Sequence, residues 1–288
     1  MKPIALVTAR ETGKLDDDME PLLEALRAEG AAAEPAIWDD PTVDWARYAL
    51  AVLRSTWDYS RRRGEFLAWA AAVEAKVRLA NSARIVAWNT DKHYMSGLQA
   101  LGVPTVPTAF IDPGAHLHFP FDGEFVVKPT VGAGSIDVGR YVEKGRAAEE
   151  HVQRLHRSGR SAMIQPYLRR VDEAGETALV YFGGEFSHAI RKGPMLRASP
   201  EVMGGLFLKE DIRARHPSPA ELAVGRSAVA AAPEPCLYAR VDVIPGPDGA
   251  PVLLEFEATE PSLFFAHDPG AAARYARVIL YRAAHDHK

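Results

Sequence analysis

The sequence predicts an α/β unit followed by α+β units, and two observations carry this prediction. In the first 85 or so residues, short apolar runs alternate with helical patterns, which is typical of a parallel sheet covered by helices. Beyond residue 90, apolar β runs outnumber helical patterns, which favours antiparallel sheets. We expect three units, at residues 1–90, 91–169 and 170–288.

The first unit reads as alternating strands and helices. Apolar runs at residues 4–7, 33–38 and 49–53 predict strands. Apolar residues at helical spacing predict one helix over 19–26, which the next glycine ends, and another over 66–73. This order predicts a small Rossmann-like unit.

The rest of the chain is punctuated by prolines. One helix is predicted over residues 89–101, closed by Gly102, and a final helix is expected to begin with Asp268 as its N-cap and Pro269 in its first turn. The predicted strands between them are residues 125–128, 163–165, 178–182, 186–190, 237–244 and 252–256.

Composition excludes several classes of protein. The chain of 288 residues is 47% hydrophobic and 25% charged, which is the mix of a folded globular protein and excludes intrinsic disorder. A formal charge of -4 gives no reason to bind nucleic acid. Cys236 is the one cysteine, so we expect a packed residue rather than a disulfide or a zinc ligand. No apolar stretch is long enough for a membrane span, so we expect a cytoplasmic protein, and homo-oligomerisation stays open.

A predicted hairpin carries an acidic face. Two β runs flank Asp248-Gly249, a favoured two-residue hairpin turn. With this pair at the centre of the turn, Asp242 falls opposite Glu255 and Arg240 falls opposite Glu257. Opposed and alternate residues share a sheet face, so three carboxylates and one guanidinium meet there. The residues expected to point into apolar packing on the other face are Val241, Val243, Leu254 and Phe256.

Three carboxylates on one face repel one another unless a cation compensates them. Oxygen ligands without histidine or cysteine suit magnesium or manganese better than zinc. The alternative interpretation is a solvated hairpin face with a weak surface pair between Arg240 and Glu257. The register depends on the turn, which the neighbouring prolines can shift by one residue.

Two lysines and a small-residue loop suggest anion binding. Lys128 ends a buried-looking strand and precedes the loop at residues 130–135, whose backbone N–H groups can approach an anion closely. An ordinary turn is the alternative for this loop, and a solvated helix start is the alternative for Lys92. Residues 163–168 are predicted to form an apolar strand that ends in a proline hinge. The backbone groups of this segment could bind the edge of a planar base; the alternative is an ordinary end of a strand.

Several segments together resemble a known superfamily. In order they are Lys92, Val127-Lys128-Pro129, Gln165-Pro166-Tyr167-Leu168, Gly175-Glu176, Arg240-Val241-Asp242 and Glu255-Phe256-Glu257. This set resembles the ATP-grasp superfamily, particularly its glutathione-synthetase-like ligases. Residues 54–59, 89–92, 186–192 and 260–262 look more narrowly like the O-ureidoserine cyclo-ligases of D-cycloserine biosynthesis. Glu257 and Ala178 depart from the glutathione synthetase pattern and count against that activity.

The resemblance implies an ATP-grasp fold with an N-terminal Rossmann-like, pre-ATP-grasp domain, and it implies site residues. Nucleotide binding would fall to Lys92, Lys128, the loop Gly132, Ala133, Gly134 and Ser135, the adenine segment Gln165, Pro166, Tyr167 and Leu168, and Glu176 at the ribose, with Asp172 as its rival. Magnesium, or manganese, would be held by Asp242, Glu255 and Glu257. Catalytic contacts to the transferred phosphate or a substrate carboxylate would come from Arg191, Lys192 and Arg240, and substrate contacts from Arg54 and Ser262.

In the implied reaction, ATP activates a substrate carboxylate by phosphorylating it. A small amino-acid-like substrate would form an acyl phosphate, and an internal nitrogen of O-ureido-D-serine would close the ring of D-cycloserine. An intermolecular carboxylate-amine ligase and a nucleotide-binding sensor are the alternatives. Residues 193–209 are expected to form either a lid or a passive surface loop.

Overall fold

The computed structural model describes residues 2–193, 199–203 and 211–285. The strands are β1 (Ile4–Thr8), β2 (Ala33–Ile37), β3 (Leu50–Ser55), β4 (Leu79–Ala80), β5 (Ala109–Ile111), β6 (Phe125–Pro129), β7 (Val138–Tyr141), β8 (Ala162–Pro166), β9 (Glu176–Phe182), β10 (Glu185–Lys192), β11 (Ser199–Met203), β12 (Ile212–Ala214), β13 (Tyr238–Pro245) and β14 (Pro251–Glu257). The helices are α1 (Met19–Ala28), α2 (Arg63–Glu74), α3 (Ala83–Asn89), α4 (Tyr94–Ala100), α5 (Arg146–Arg157), α6 (Val171–Ala174), α7 (Pro219–Ala230) and α8 (Ala271–His285).

The N-terminal sheet is parallel, in the order β2-β1-β3-β4. Its central strand β1 is buried along its whole length, as expected for a strand covered on both faces. Helix α1 buries Leu22 and Leu26 against the sheet, and Gly30 follows it with a φ of +78°. The α/β unit predicted from the alternation of strands and helices is confirmed.

The central sheet is antiparallel, in the order β11-β7-β6-β8-β5. Helix α5 covers one face and buries Val152 and Leu155. Strand β11 comes from the segment at residues 193–209 that the sequence marked as a lid or a loop, and it pairs with β7. Within that segment, residues 194–198 and 204–209 lie outside the described residues.

The C-terminal sheet is also antiparallel, in the order β12-β10-β9-β13-β14. Helices α4 and α7 pack on one face of it, and α8 packs between it and α1. The antiparallel α+β architecture predicted for this half is confirmed. None of the helices in the described part of the chain is long and apolar enough to cross a membrane.

The prediction of a single helix over residues 89–101 is wrong, because the chain forms α3 and α4 with a turn between them. The Asn89 side chain donates to Phe256 O at 2.8 Å and accepts from Ala258 N at 2.7 Å. Three residues later, in the turn, the backbone N–H of Lys92 donates to Thr130 O at 2.9 Å. These tertiary contacts replace the helical hydrogen bonds that the local pattern predicts, and they bring Lys92 beside the central sheet.

The β13–β14 hairpin has the predicted pairs but a different turn. Asp242 pairs with Glu255 and Arg240 with Glu257. The turn, however, holds three residues, since Gly246 N donates across it to Ala250 O at 2.7 Å. A register shift after Asp242 restores the predicted pairs.

The register shift also moves one side chain. Leu253 takes the place opposite Val243 and is fully buried in apolar packing. Leu254 lines the cavity described below, so its predicted place in that packing is wrong. A bulge residue is left unpaired in the ladder, which is why alternation alone misplaced this one position.

Candidate active site

A cavity of about 670 Å³ lies between the two antiparallel sheets, and the N-terminal unit closes part of its wall. Most residues that the sequence singled out line it. They are Lys92, Lys128, Gly132, Ala133, Gly134, Ser135, Gln165, Pro166, Tyr167, Leu168, Glu176, Lys192, Arg240, Asp242, Glu255, Glu257 and Ser262. A cavity of this size is of the order that small-molecule ligands occupy.

Two ammonium groups meet one carboxylate at the end of the cavity nearest the central sheet. Lys92 Nζ lies 3.1 Å from Glu255 Oε1 and donates to Gly132 O at 3.2 Å. Lys128 Nζ lies 3.9 Å from Glu255 Oε2. The two lysines come from the turn before α4 and from β6, so three distant segments converge on Glu255.

A second group of charges runs along β9, β10 and β13. Lys192 Nζ donates to Glu176 Oε1 at 2.5 Å and to Asp242 Oδ2 at 3.0 Å. Arg240 Nε donates to Asp242 Oδ1 at 2.9 Å, and Arg240 also pairs with Glu257. Strand alternation and pairing place these side chains on one face, which the hairpin pattern predicted for Arg240, Asp242 and Glu257.

Burial and neighbouring charge set the ionisation of this group. Burial raises the pKa of Glu257 to about 7, against the effect of Arg240 and with the help of Glu255 and Asp242. Burial also raises the pKa of Glu176 to about 7, although Lys192 opposes it. For Asp242, burial acts in the same direction, but Arg240 and Lys192 outweigh it and hold the pKa well below its usual value.

Burial lowers the pKa of both lysines, but their net pKa shifts have opposite directions. Burial lowers the pKa of Lys128, since its contact with Glu255 is long and Lys92 repels it. Lys92 lies closer to Glu255, and this attraction outweighs burial, so its pKa is raised. Both groups sit where an anion such as a phosphate would gain attraction from each.

The oxygen atoms of the cavity's carboxylates are suitable ligands for a hard divalent cation, but in this structure they form ion pairs with lysine and arginine side chains. Within residues 2–193 and 211–285, no three acidic, histidine or cysteine side chains converge as a ready metal-ligand set. Asp242, Glu255 and Glu257 each contact a lysine or an arginine instead. Burial, together with Glu255 and Asp242, raises the pKa of Glu257 despite Arg240, so a divalent cation bound here would stabilise the charged form of Glu257.

The small-residue loop at residues 132–135 and the chain at the end of β8 also line the cavity. Gly134 has a φ of +61°, in the left-handed region that favours glycine. Gln165 is buried and donates from Nε2 to Thr108 Oγ1 at 3.0 Å, while Tyr167 N donates to Glu124 O at 2.8 Å. The chain thus turns at Pro166 and presents residues 165–168 to the cavity.

Three candidate residues lie outside the cavity wall. Arg54 is fully buried and pairs with Asp16 at 3.2 Å, so it supports the wall from behind. Arg191 points to the other face of β10 from Lys192 and donates from Nε to Ala174 O at 2.5 Å. Asp172 accepts a hydrogen bond from the Tyr167 hydroxyl, which leaves Glu176 as the acidic residue of this pair that lines the cavity.

The cavity also contains residues to which the sequence assigned no role. Tyr59, Glu260 and Phe264 line it. The Phe264 ring lies 5.5 Å from the Arg240 guanidinium carbon, in cation–π geometry. Glu260 belongs to the segment 260–262 on which the family resemblance depends, so the sequence contained a signal for its role. No sequence feature pointed to Phe264.

The chain is similar to known proteins over almost its whole length. The family model of the N-terminal domain of D-cycloserine synthetase DcsG matches residues 4–81. The cycloserine biosynthesis protein DcsG of Streptomyces lavendulae is 39% identical over 295 residues, covering 97% of this chain and 98% of that protein. The crystal structure of D-cycloserine synthetase DcsG has a TM-score of 0.87 at 38% identity, covering 97% of this chain and 99% of that one.

A more distant structure shares the fold. D-alanine–D-alanine ligase from Bacillus anthracis, solved with ATP, has a TM-score of 0.70 at 17% identity and covers 98% of this chain and 97% of its own. The ATP-grasp fold expected from the sequence is thereby confirmed. Identity near 40% over almost the full length of both proteins, together with the cavity of paired lysines and carboxylates, shows that the chain belongs to the DcsG family of ATP-grasp ligases.

Proposed function

We propose that this protein cyclises O-ureido-D-serine to D-cycloserine at the expense of ATP, with release of ADP, phosphate, carbon dioxide and ammonia. The observation that carries the proposal is that one cavity brings Lys92, Lys128 and Arg240 together with Glu255, Glu257 and Asp242, in a chain of the DcsG family. Membership of a ligase family argues against a nucleotide-binding sensor.

The nucleotide would lie along the wall formed by the central sheet. Lys92 and Lys128 would bind its phosphates, and the loop of Gly132, Ala133, Gly134 and Ser135 would cover them. The segment Gln165, Pro166, Tyr167 and Leu168 would hold the adenine, and Glu176 would bind the ribose. The support is that all of these groups line the same cavity.

Magnesium would be held by Asp242, Glu255 and Glu257, whose oxygen donors suit that ion. Bound there, it would supply positive charge to the phosphates during transfer. Lys192 and Arg240 would orient the transferred phosphoryl group or the substrate carboxylate, since both already bind carboxylate oxygens in this cavity. Ser262 would contact the substrate.

In the proposed reaction, the substrate carboxylate attacks the γ-phosphorus and forms an acyl phosphate and ADP. The oxygen-bound ureido nitrogen then attacks the acyl carbon, releases phosphate and closes the five-membered ring. Water cleaves the carbamoyl group to carbon dioxide and ammonia, so one water is consumed overall. Ring closure benefits from the high effective concentration of a nucleophile in the same molecule.

The test is to identify the product by mass spectrometry after incubation with O-ureido-D-serine, ATP and magnesium. We expect D-cycloserine and one ADP for each ring closed, and no product when ATP is omitted. A dipeptide formed with added amino acids would support an intermolecular ligase instead. ADP release without the ring product would contradict the cyclisation.

A further inference from the structure

Glu260 differs from the other carboxylates of the cavity in having no cationic partner. It is 8% exposed and lines the cavity. Among the residues that the structure describes, no lysine, arginine or histidine forms an ion pair with it. The other acidic residues of the same wall each have one, namely Glu176, Asp242, Glu255 and Glu257.

The surroundings of Glu260 favour the arrival of a positive charge. The Tyr59 hydroxyl, a neutral group, and the charge of Lys92 both act on the carboxylate and lower its pKa, but neither outweighs burial. Burial raises the pKa of Glu260 to about 8, and repulsion from Glu257 adds to the effect. A buried carboxylate without a counter-charge is costly, and a bound cation would remove that cost.

The loop that carries Glu260 is held in place by the N-terminal unit. Trp57 Nε1 donates to Glu260 O at 2.9 Å. Arg54 donates to Pro261 O at 3.3 Å, and Asp18 Oδ2 accepts from Leu263 N at 2.6 Å. The carboxylate is therefore positioned before any ligand binds, as a specificity group must be.

We propose that Glu260 binds the α-ammonium group of the substrate and so selects α-amino acids with a free amino group. This inference rests on the proposed function. The ammonium is attached to the carbon next to the carboxylate that ATP activates, so its binding group must lie beside the phosphate-binding end of the cavity. Glu260 meets this requirement, since it lies within the electrostatic influence of Lys92, Glu255 and Glu257.

Asp17 is the alternative candidate for binding the ammonium group. It also lines the cavity, but its side chain is exposed. An exposed carboxylate is stabilised by water and gains little from an added cation, whereas a buried one gains more. The charge and burial of the two residues therefore favour Glu260.

The test compares O-ureido-D-serine with 3-(ureidooxy)propanoate, which lacks only the amino group and whose ring product would be isoxazolidin-3-one. The ratio of kcat/KM for the two compounds measures recognition of the ammonium. We expect Glu260→Gln to lower this ratio about 10- to 100-fold, the usual effect of losing a charged hydrogen-bond partner. The KM for ATP and the melting temperature should change little, since glutamine has the same shape and still accepts a hydrogen bond.

Two control variants separate ammonium recognition from a structural role. Tyr59→Phe removes the hydroxyl donor to Glu260 but keeps its carboxylate, so the ratio should stay close to that of the unchanged protein. Asp17→Asn should also keep the ratio. If Asp17→Asn collapses it and Glu260→Gln does not, the proposal is overturned.

The outcomes distinguish this inference from the proposed function. No turnover of O-ureido-D-serine by the unchanged protein would reject the proposed function. Turnover with an unchanged ratio in Glu260→Gln would reject the role of Glu260 alone. If that variant does not fold, the unchanged protein still tests the proposal. Equal kcat/KM values for the two compounds would show that the ammonium is not recognised and would reject the role of Glu260.

Discussion

Glu255 on β14 lies between the ammonium groups of Lys92 and of Lys128, which belongs to β6 of the central sheet. We expect Glu255→Gln to lower ADP release at least about 100-fold, because the change removes a proposed magnesium ligand and leaves two neighbouring ammonium groups without their counter-charge. Steady-state ADP release with saturating ATP and magnesium measures this effect.

The matched control for this change is Glu185→Gln, since Glu185 is an exposed acidic residue at the start of β10 in the same sheet. It should leave ADP release unchanged. Normal turnover in Glu255→Gln would remove this residue from the metal site.

His151 gives a prediction about pH. It is buried on α5, where its Nδ1 lies 2.8 Å from the Tyr141 hydroxyl. Burial lowers the pKa of His151 to about 4, and Arg154 adds to the effect. Between pH 6.5 and 4 the unfolded chain therefore binds a proton that the folded protein does not, so the free energy of unfolding falls as the pH falls.

We expect this loss to reach roughly 2–3 kcal/mol, at about 1.4 kcal/mol for each pKa unit. Urea unfolding at pH 7 and at pH 4.5 measures it, and His151→Gln should lose less stability than the unchanged protein over that interval. His118 is exposed, so His118→Gln should keep the original pH dependence. The same dependence in both variants would contradict the assignment to His151.

At the scale of the elements, the β13–β14 hairpin shows how local geometry fixes a site. The three-residue turn moves the register by one residue, and the bulge at Leu254 moves it back. Without the bulge, Glu255 and Glu257 would turn to the apolar face, since a shift of one residue reverses every side chain of a strand. The two irregularities together keep the carboxylates in the cavity.

Helix α7 offers a test of stability that is separate from the cavity. Ser218 and Glu221 form a capping box at its N-terminus, in which each side chain accepts a hydrogen bond from the backbone of the other. We expect Ser218→Ala to lower the free energy of unfolding by about 1 kcal/mol, because a backbone donor loses its partner. Urea denaturation measures this change.

Ser227→Ala is the control for the cap, since Ser227 lies inside the same helix and alanine is the better helix former there. It should be neutral or slightly stabilising, and neither variant should change kcat. Equal losses at the two serines would argue against the cap.

At the scale of the whole molecule, the cavity depends on contacts between units that are far apart in the sequence. The carboxylate of Asp18, beside α1, accepts hydrogen bonds from the backbone of Leu263, Phe264 and Phe265. Arg54 lies beside Asp18 and contacts the same loop. The N-terminal unit thus shapes the wall that carries Glu260 and Ser262.

We expect Asp18→Asn to lower the free energy of unfolding by about 2–3 kcal/mol, since its charged hydrogen bonds are buried. The KM for the amino-acid substrate should rise about 10-fold, because the loop loses its anchor, while the KM for ATP should stay the same. Denaturation and steady-state kinetics measure the two effects.

The control for this anchor is the neighbouring Asp17, which is exposed. Asp17→Asn should change the free energy of unfolding by less than about 0.5 kcal/mol, as is usual at the surface. A rise in the KM for ATP in Asp18→Asn would show that the loop does not act on the substrate alone.

Local pattern was sufficient for many elements and failed where distant contacts intervene. The strands of the β13–β14 hairpin and their key pairs followed from alternation and turn chemistry. The helix predicted over 89–101 failed because Asn89 and Lys92 bond to residues far along the chain. Local propensity carries no information about such partners.

By itself, the sequence determined the alternation of strands and helices in the N-terminal unit, the shared face of Asp242, Glu255 and Glu257, and the likeness to a ligase family. Side-chain alternation along a strand depends on neighbours two positions away, so it can be read directly. Only the tertiary structure decided which cation each carboxylate meets, and that Glu260 meets none among the described residues. Ion pairing depends on distances of a few ångströms between segments that are far apart in the chain, and those distances exist only after folding.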